Sequence, residues 1–310
     1  MPKTKQPKPK APKSQKYTLQ DFEKQFPTDD ACLEWLKNHL YPEGIFCVKC
    51  ERVTKHHKVA SRRSYSCDYC GHHVHPTADT IYHKSSTPLR LWFYAIYLMA
   101  STRCGISAKQ IEREIGVTYK TAWRMFKQIR SMLAEDVDPL TGKVEVDETY
   151  VGGKAKNMHA WKRAEKIQGR GAVGKVPVVG AVERGGRVVA KTAENAKAET
   201  LMPFVIGHIM PESTVFTDEH AGYGDVAASG YAHKRVHHSA KVYVIGDAHT
   251  NTIEGFWSLV KRGIGGVYHN VSAKYLQTYF DEYSFRYNRR LDAQPMFHHF
   301  LTQVEKKSCD

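Results

Sequence analysis

Two cysteine pairs, Cys47-x2-Cys50 and Cys67-x2-Cys70, stand sixteen residues apart, and no other feature restricts the surrounding chain so tightly. Each pair can make a knuckle turn, and two such turns converge on one tetrahedral ion, which zinc fits best. The basic neighbours Lys49, Arg52, Lys55, Arg62 and Arg63 favour the thiolate form. A zinc ribbon is expected over residues 43–80, held together by one structural Zn2+ because so small a module lacks a core of its own. Redox or coincidental pairing is the competing reading. His56, His57, His72, His73 and His75 crowd the same stretch and are expected at the surface, four thiols having filled the tetrahedron. Cys32, Cys104 and Cys309 stand alone, so the seven cysteines make no disulfide framework.

The 310 residues suit two or three compact domains. A formal net charge of +14 surrounds them with a positive field that draws polyanions. Nucleic acid is the commonest such partner, though anionic membranes and acidic proteins would also answer. The most apolar window, residues 89–100, is too short to span a bilayer and holds Arg90. No apolar leader follows the basic start, so the expectation is a cytosolic protein with reduced thiols and no membrane. Residues 1–16 interleave six lysines with four prolines and cannot repay their ordering by burial. They read as a solvated tail or as an arm that orders on DNA phosphates.

Within residues 17–42, two helices are predicted, near 19–25 and 30–40, burying Phe22, Phe26, Cys32, Trp35, Leu36 and Leu40. An apolar helix begins at Pro88. Over residues 87–135 the grammar is that of a helix-turn-helix: Ser107 caps a helix to Ile115, Gly116 turns the chain, and Thr118 caps a second helix to Leu133. Its inward positions are Ala122, Met125, Phe126 and Ile129. Tyr119, Lys120, Arg124, Lys127 and Arg130 are left for a DNA groove. An ordinary helical hairpin is the alternative.

A domain boundary falls near residues 136–141, and short β-rich runs follow. KVEVDETYV at 143–151 alternates, with Val144, Val146, Glu148 and Tyr150 on one side and Glu145, Asp147, Thr149 and Val151 on the other. An Asp inside a central strand is costly unless paired, and a divalent metal is the usual partner. A hairpin turned at Gly185-Gly186 and a helix over 198–209 precede a fourth strand ending in Asp218. Strand, strand, strand, helix, strand, with acids on the first and fourth, is the order of a ribonuclease H-like sheet, on which those two strands are neighbours. The fold class is therefore α/β, a mixed sheet with helices over residues 142–300, preceded by the ribbon and the helix-turn-helix. A third acid is expected from the helical segment 251–262, where Glu254, Trp257, Ser258 and Lys261 share one face. Any one of these acids taken alone reads as a turn or cap residue. Glu145, Glu148, Glu219, Asp225 and Asp247 are rivals ranked lower. Tyr275, Tyr279, Phe280, Tyr283 and Tyr287 form a helical stripe read as core.

With those residues in view, the sequence resembles the ISXO2-like insertion-sequence transposases, relatives of the Merlin group of eukaryotic elements, from about residue 18 to about residue 300. The resemblance rests on the cysteine pairs, TPLRLW at 87–92, GISAKQIEREIGVTYKTAWRM at 105–125 and VEVDETYVGGK at 144–154. GKVPVVGAVERGG at 174–186, TDEHAGYG at 217–224 and HTNTIEGFWSLVKRGIGGVYHNVS at 249–272 extend it. It implies a DDE-type transposase with Asp147 and Asp218 as the first two acids. The third position in that family is Glu or Asn followed by Lys. Glu254 with Lys261 fits the acid form, and Asn251 is the neighbour that would serve the other. The three carboxylates would hold two Mg2+ or Mn2+ ions about 4 Å apart, for cleavage at the element ends and strand transfer into target DNA. Lys261 and Arg262 would contact phosphate. Lys154, with Lys156, Lys162, Arg163, Arg170 and Lys175, either lines the DNA path or is a solvated face. His249 is a residue behind the site or a helix-start cap. A homo-oligomer on DNA, in the cytoplasm at the bacterial nucleoid, would be the working form. Two rival readings remain: a DNA-binding regulator whose acids merely cap turns, and a metal-dependent nuclease that joins no strands.

Overall fold

A computed structural model describes residues 16–153, 159–161, 164, 174–236 and 249–306. The chain forms two compact units: residues up to Met132 together with those from Leu291 onward make one, and Leu133–Arg290 the other.

In the first unit, helices begin where local capping chemistry places them. Thr18 caps α1 (Leu19–Gln25) in a reciprocal box with Asp21, whose carboxylate accepts the Thr18 N–H at 2.8 Å. Thr28 caps α2 (Asp29–Leu40) through the Ala31 N–H. Five short strands follow: β1 (Phe46–Cys47) pairs with β2 (Arg52–Val53), while β3 (His56–Lys58), β4 (Tyr65–Cys67) and β5 (His73–Val74) form an antiparallel sheet. Next comes α3 (Leu89–Ser101), led by Pro88, which offers no cap of its own. The Asp29 carboxylate supplies it, accepting the N–H groups of Leu89 and Arg90 at 3.0 and 2.8 Å.

Helices α4 (Ala108–Ile115) and α5 (Tyr119–Ser131) start at Ser107 and Thr118, each accepting a backbone N–H three residues on. Gly116, at φ 69°, takes the left-handed turn between them that a side chain would resist. Ala122, Met125, Phe126 and Ile129 are buried as expected. Arg130 is a correction: it is 1% exposed, with its guanidinium 3.8 Å from the centre of the Phe126 ring, so it is not a groove-facing residue. Cation–π stacking and burial of its apolar stem hold it against α5.

The second unit is a five-stranded mixed sheet in the order β10-β9-β6-β7-β8. Strands β6 (Lys143–Val151), β7 (Val176–Glu183) and β8 (Val188–Thr192) are antiparallel neighbours, the β7–β8 turn carrying Gly185 at φ 81°. Strand β9 (Thr214–Thr217) lies parallel to β6, pairing Glu145 with Phe216, and β10 (Ala232–Arg235) lies parallel to β9. The first and fourth strands are thus adjacent. Alternation along β6 divides the core. Val144 and Val146 pack with Leu201, Phe204 and Val205 of α6 (Ala198–His208) on one face. Val151 packs on the other with Ile253, Phe256, Trp257 and Val260 of α7 (Asn251–Gly263) and with Leu276, Phe280 and Tyr283 of α8 (Ala273–Asn288). Phe280 and Tyr283 of the aromatic stripe are core residues, and Tyr287 packs against them.

The domain limit differs from the expected 142–300. The second unit already begins at Leu133, and residues 291–300 belong to the first. Phe297 of α9 (Met296–Leu301) stacks on Tyr17 at 4.8 Å and meets Phe22, Phe26 and Tyr97 edge-on. Its apolar partners all lie in the N-terminal helices, and no local pattern announces that. Among the described residues no helix is long and apolar enough to cross a membrane.

Candidate active site

Strand β9 pairs with the first residues of β6, Lys143–Glu145, so the end of β9 falls near the middle of β6, where the alternation of the pleat sets what each side chain faces. Asp147 lies on the α7 face of β6, next to Asp218, which immediately follows β9. Helix α7 crosses that face and brings Glu254, Trp257, Ser258 and Lys261, spaced three, four and seven residues apart, to the same place. Together with Glu148, Thr149, Thr250 and Arg262 they line an open cleft of about 670 Å³. The sequence-derived set Asp147, Asp218, Glu254, Lys261 and Arg262 is therefore brought together.

Each acid is tied to a named donor. Trp257 Nε1 donates to Asp147 Oδ2 at 2.9 Å, Tyr223 donates its hydroxyl to Glu148 Oε2 at 2.9 Å, and the Thr250 hydroxyl donates to Glu254 Oε1 at 3.0 Å. Asp218 Oδ1 accepts the His220 N–H at 2.9 Å. The indole reaches Asp147 because β7 presents Gly180 opposite it: a Cβ there would sit 2.5 Å from the Trp257 ring. Burial, followed by the charges of Glu148 and Asp218, pushes the Asp147 carboxyl up to about 7, against the lesser pull of the indole N–H. Glu148 is raised as well, by burial first, while the Tyr223 hydroxyl and His220 act in the opposite direction. A cleft that raises two neighbouring carboxyls in this way favours a cation among them.

Two of these residues were not picked out from the sequence. Glu148 is among the rivals ranked lower in the sequence, since it completes no arrangement of first strand, fourth strand and helix. It nonetheless lines the cleft beside Asp147, with the Tyr223 hydroxyl donating to its carboxylate. Tyr223 itself lay in the turn-like TDEHAGYG and carried no signal beyond a turn. Of the other rivals, Glu145 is fully buried and serves α7, Glu219 and Asp225 are exposed, and Asp247 lies outside the described residues.

The four cysteines form a second, tighter group. Their sulfurs lie within 4.8 Å of one another, the one cluster of three or more potential ligands so close among the described residues. The Thr54 hydroxyl, 3.2 Å from Cys67 Sγ, is the main cause that lowers that thiol to about 5. Four sulfurs in this arrangement could hold a zinc ion. On α5, Tyr119, Lys120, Arg124 and Lys127 are exposed, and Arg124 also donates to the His83 carbonyl at 3.1 Å. Lys154, Lys156, Lys162, Arg163 and Arg170 lie outside the described residues, as does most of the N-terminal tail; Lys175 is exposed.

Residues 139–288 match the family model of the ISXO2-like transposase domain, and residues 27–73 match that of the transposase zinc-ribbon domain. The chain carries an ISXO2-like transposase domain behind a transposase zinc ribbon. It is 28% identical over 249 residues to a Halobacterium salinarum protein described as an uncharacterized protein in transposable element ISH50, covering 77% of this chain and 84% of the relative. It is 26% identical over 102 residues to an uncharacterized transposase-like protein of Haemophilus influenzae, covering 33% of this chain and 81% of that one. Against a chain of the simian T-cell lymphotropic virus intasome in complex with a PP2A regulatory subunit, the TM-score is 0.28 at 13% identity, over 62% of this chain and 64% of that one. The transposase domain includes every residue of the cleft, and the ribbon match includes all four clustered cysteines.

Proposed function

We propose that the chain is a metal-dependent DNA strand transferase of the DDE type, which cleaves DNA at the ends of its insertion sequence and joins the freed 3′ ends to target DNA. The observation that carries this reading is the meeting of Asp147, Asp218 and Glu254, with Lys261 and Arg262, in one open cleft. The sheet order supports assigning the second unit to the ribonuclease H-like class, in which acids on the first and fourth strands share cations.

Asp147, Asp218 and Glu254 would hold Mg2+ or Mn2+, and the carboxyl raised to about 7 fits that role, because a cation relieves both the burial and the repulsion behind the shift. A bound pair of such ions would neutralise charge on the attacking and leaving oxygens of an in-line displacement at phosphorus. Trp257 holds one oxygen of Asp147 in place. Lys261 and Arg262 supply fixed positive charge for a phosphate beside the scissile bond. In the first unit, Tyr119, Lys120, Arg124 and Lys127 give α5 a basic face suited to a major groove. The zinc-filled ribbon braces the chain beside that helical region. Protomers acting as a pair would hold two element ends together.

The test is a supercoiled plasmid carrying the inverted repeats that flank the gene, incubated with zinc-loaded protein and Mg2+. Strand-transfer products that disappear with Asp147→Asn and Glu254→Gln are expected. Hydrolysis without joining would reduce the activity to that of a nuclease. Binding unaffected by both substitutions, with no cleavage, would make the chain a regulator.

A further inference from the structure

We propose that Glu145 is a positioning residue for the third acid: its buried carboxylate caps α7 from the sheet and so fixes where Glu254 stands. The proposal rests on the reading of the cleft given above.

Helix α7 lacks an ordinary start. Its N-cap residue, Thr250, makes no side-chain cap, and its hydroxyl is spent instead on Glu254 Oε1 at 3.0 Å. The first-turn N–H groups that an N-cap side chain would accept are those of Thr252 and Ile253. Both donate to Glu145 Oε2, at 2.7 and 3.1 Å, across 107 and 108 residues of sequence. The Thr252 hydroxyl adds a bond to Glu145 Oε1 at 2.9 Å. Arg184 completes the clamp: its Nε donates to Glu145 Oε1 at 2.6 Å and its Nη2 to the His249 carbonyl at 2.7 Å, so one guanidinium ties the capping acid to the chain that enters the helix. The Phe216 ring lies 4.0 Å beneath that guanidinium. Glu145 is fully buried, so its negative charge faces the positive end of the helix without solvent between them.

The spacing makes the clamp a gauge. Glu145 and Asp147 lie on one face of β6, two residues and so about 6.7 Å apart. Glu254 lies in the turn of α7 that begins at the residues Glu145 holds. The strand that carries the first acid thus also sets the height and rotation of the helix that carries the third. Freeing Thr250 from capping lets it orient Glu254 as well.

The test measures Mn2+ binding to the full-length, zinc-loaded chain by the electron paramagnetic resonance signal of free Mn2+, with thermal unfolding recorded alongside. Glu254→Gln is expected to weaken binding about tenfold and Glu145→Gln by a similar factor, with each variant folded. The double variant should bind no worse than Glu254→Gln alone, because Glu145 acts only through Glu254. Glu145→Asp, which restores the charge, should recover part of the loss. Thr252→Ala, which removes one bond of the clamp, should weaken binding about threefold, and it serves if Glu145→Gln does not fold. Wild-type affinity in Glu145→Gln or, failing that variant, in Thr252→Ala, would overturn the proposal, as would losses that add in the double variant. A wild-type chain that binds no Mn2+, or an Asp147→Asn variant that binds as well as wild type, would instead sink the reading of the cleft itself.

Discussion

In the ribbon, four sulfurs on two turns stand within 4.8 Å of one another with the spacing an ion requires. In the cleft, Asp147, Glu148, Asp218 and Glu254 surround an open space of about 670 Å³, and each is held by a donor of the protein itself: an indole, a phenol, a backbone N–H and a hydroxyl. A closed set of identical ligands leaves no position for a reactant, whereas acids held apart on separate elements leave room for cations, water and a phosphate together. The difference teaches that proximity of ligands marks a site built to hold its ion, while raised carboxyls around a void mark one built to work with it.

The largest effect should come from breaking the tighter site. Cys67→Ser is expected to take bound zinc from one per chain to none and to unfold residues 43–80, since binding of a structural zinc contributes on the order of 10 kcal/mol. Metal analysis and limited proteolysis would check it; a ribbon that stays protected without zinc would erase the contrast.

Asp147→Asn should lower strand-transfer product by about 10³-fold, the loss of several kcal/mol of charge stabilisation. The same group predicts a pH dependence. Its carboxyl stands near 7 in the folded chain against 3.8 for the ordinary group, so between those values the folded form keeps a proton that the unfolded form releases. Without Mg2+ or Mn2+, stability should therefore fall as pH rises from about 4 to about 7, by on the order of 4 kcal/mol. Urea unfolding across that range measures it, and Asp147→Asn should flatten the slope.

Gly180→Ala sharpens the comparison from behind the cleft. The added methyl would meet the Trp257 ring, forcing the indole off Asp147 at a cost of about 1–3 kcal/mol. Trp257→Phe, which loses only the N–H donor, should cost less in the same unfolding assay. Smallest of all, Lys120→Ala should weaken DNA binding modestly and reduce its salt dependence by about one counterion. An unchanged slope in a salt titration would remove Lys120 from the DNA path.

What the sequence made legible was local. Ser107 and Thr118 announce helix starts through bonds three residues long, and the alternation from Val144 to Val151 assigns the two faces of β6 before any contact is known. The seven-residue step from Glu254 to Lys261 did the same for α7. What stayed hidden depends on distant partners. Glu148 turns into the cleft through a hydroxyl 75 residues away, and Glu145 caps a helix more than a hundred residues on. Arg130 stands four residues after Phe126, on the inward face of its helix; its charge suggested an outward residue, but the spacing and the Phe126 ring place it inside.

The return of α9 to the N-terminal helices bears on how the molecule is made. Because Phe297 seals a cluster begun by Tyr17, Phe22 and Phe26, the unit that starts first during synthesis is finished last. On the ribosome, those three aromatic rings must wait without their final cover while the whole of the sheet-bearing unit emerges. A transcript or protease that trims the last twenty residues would therefore wound the beginning of the chain and spare its middle.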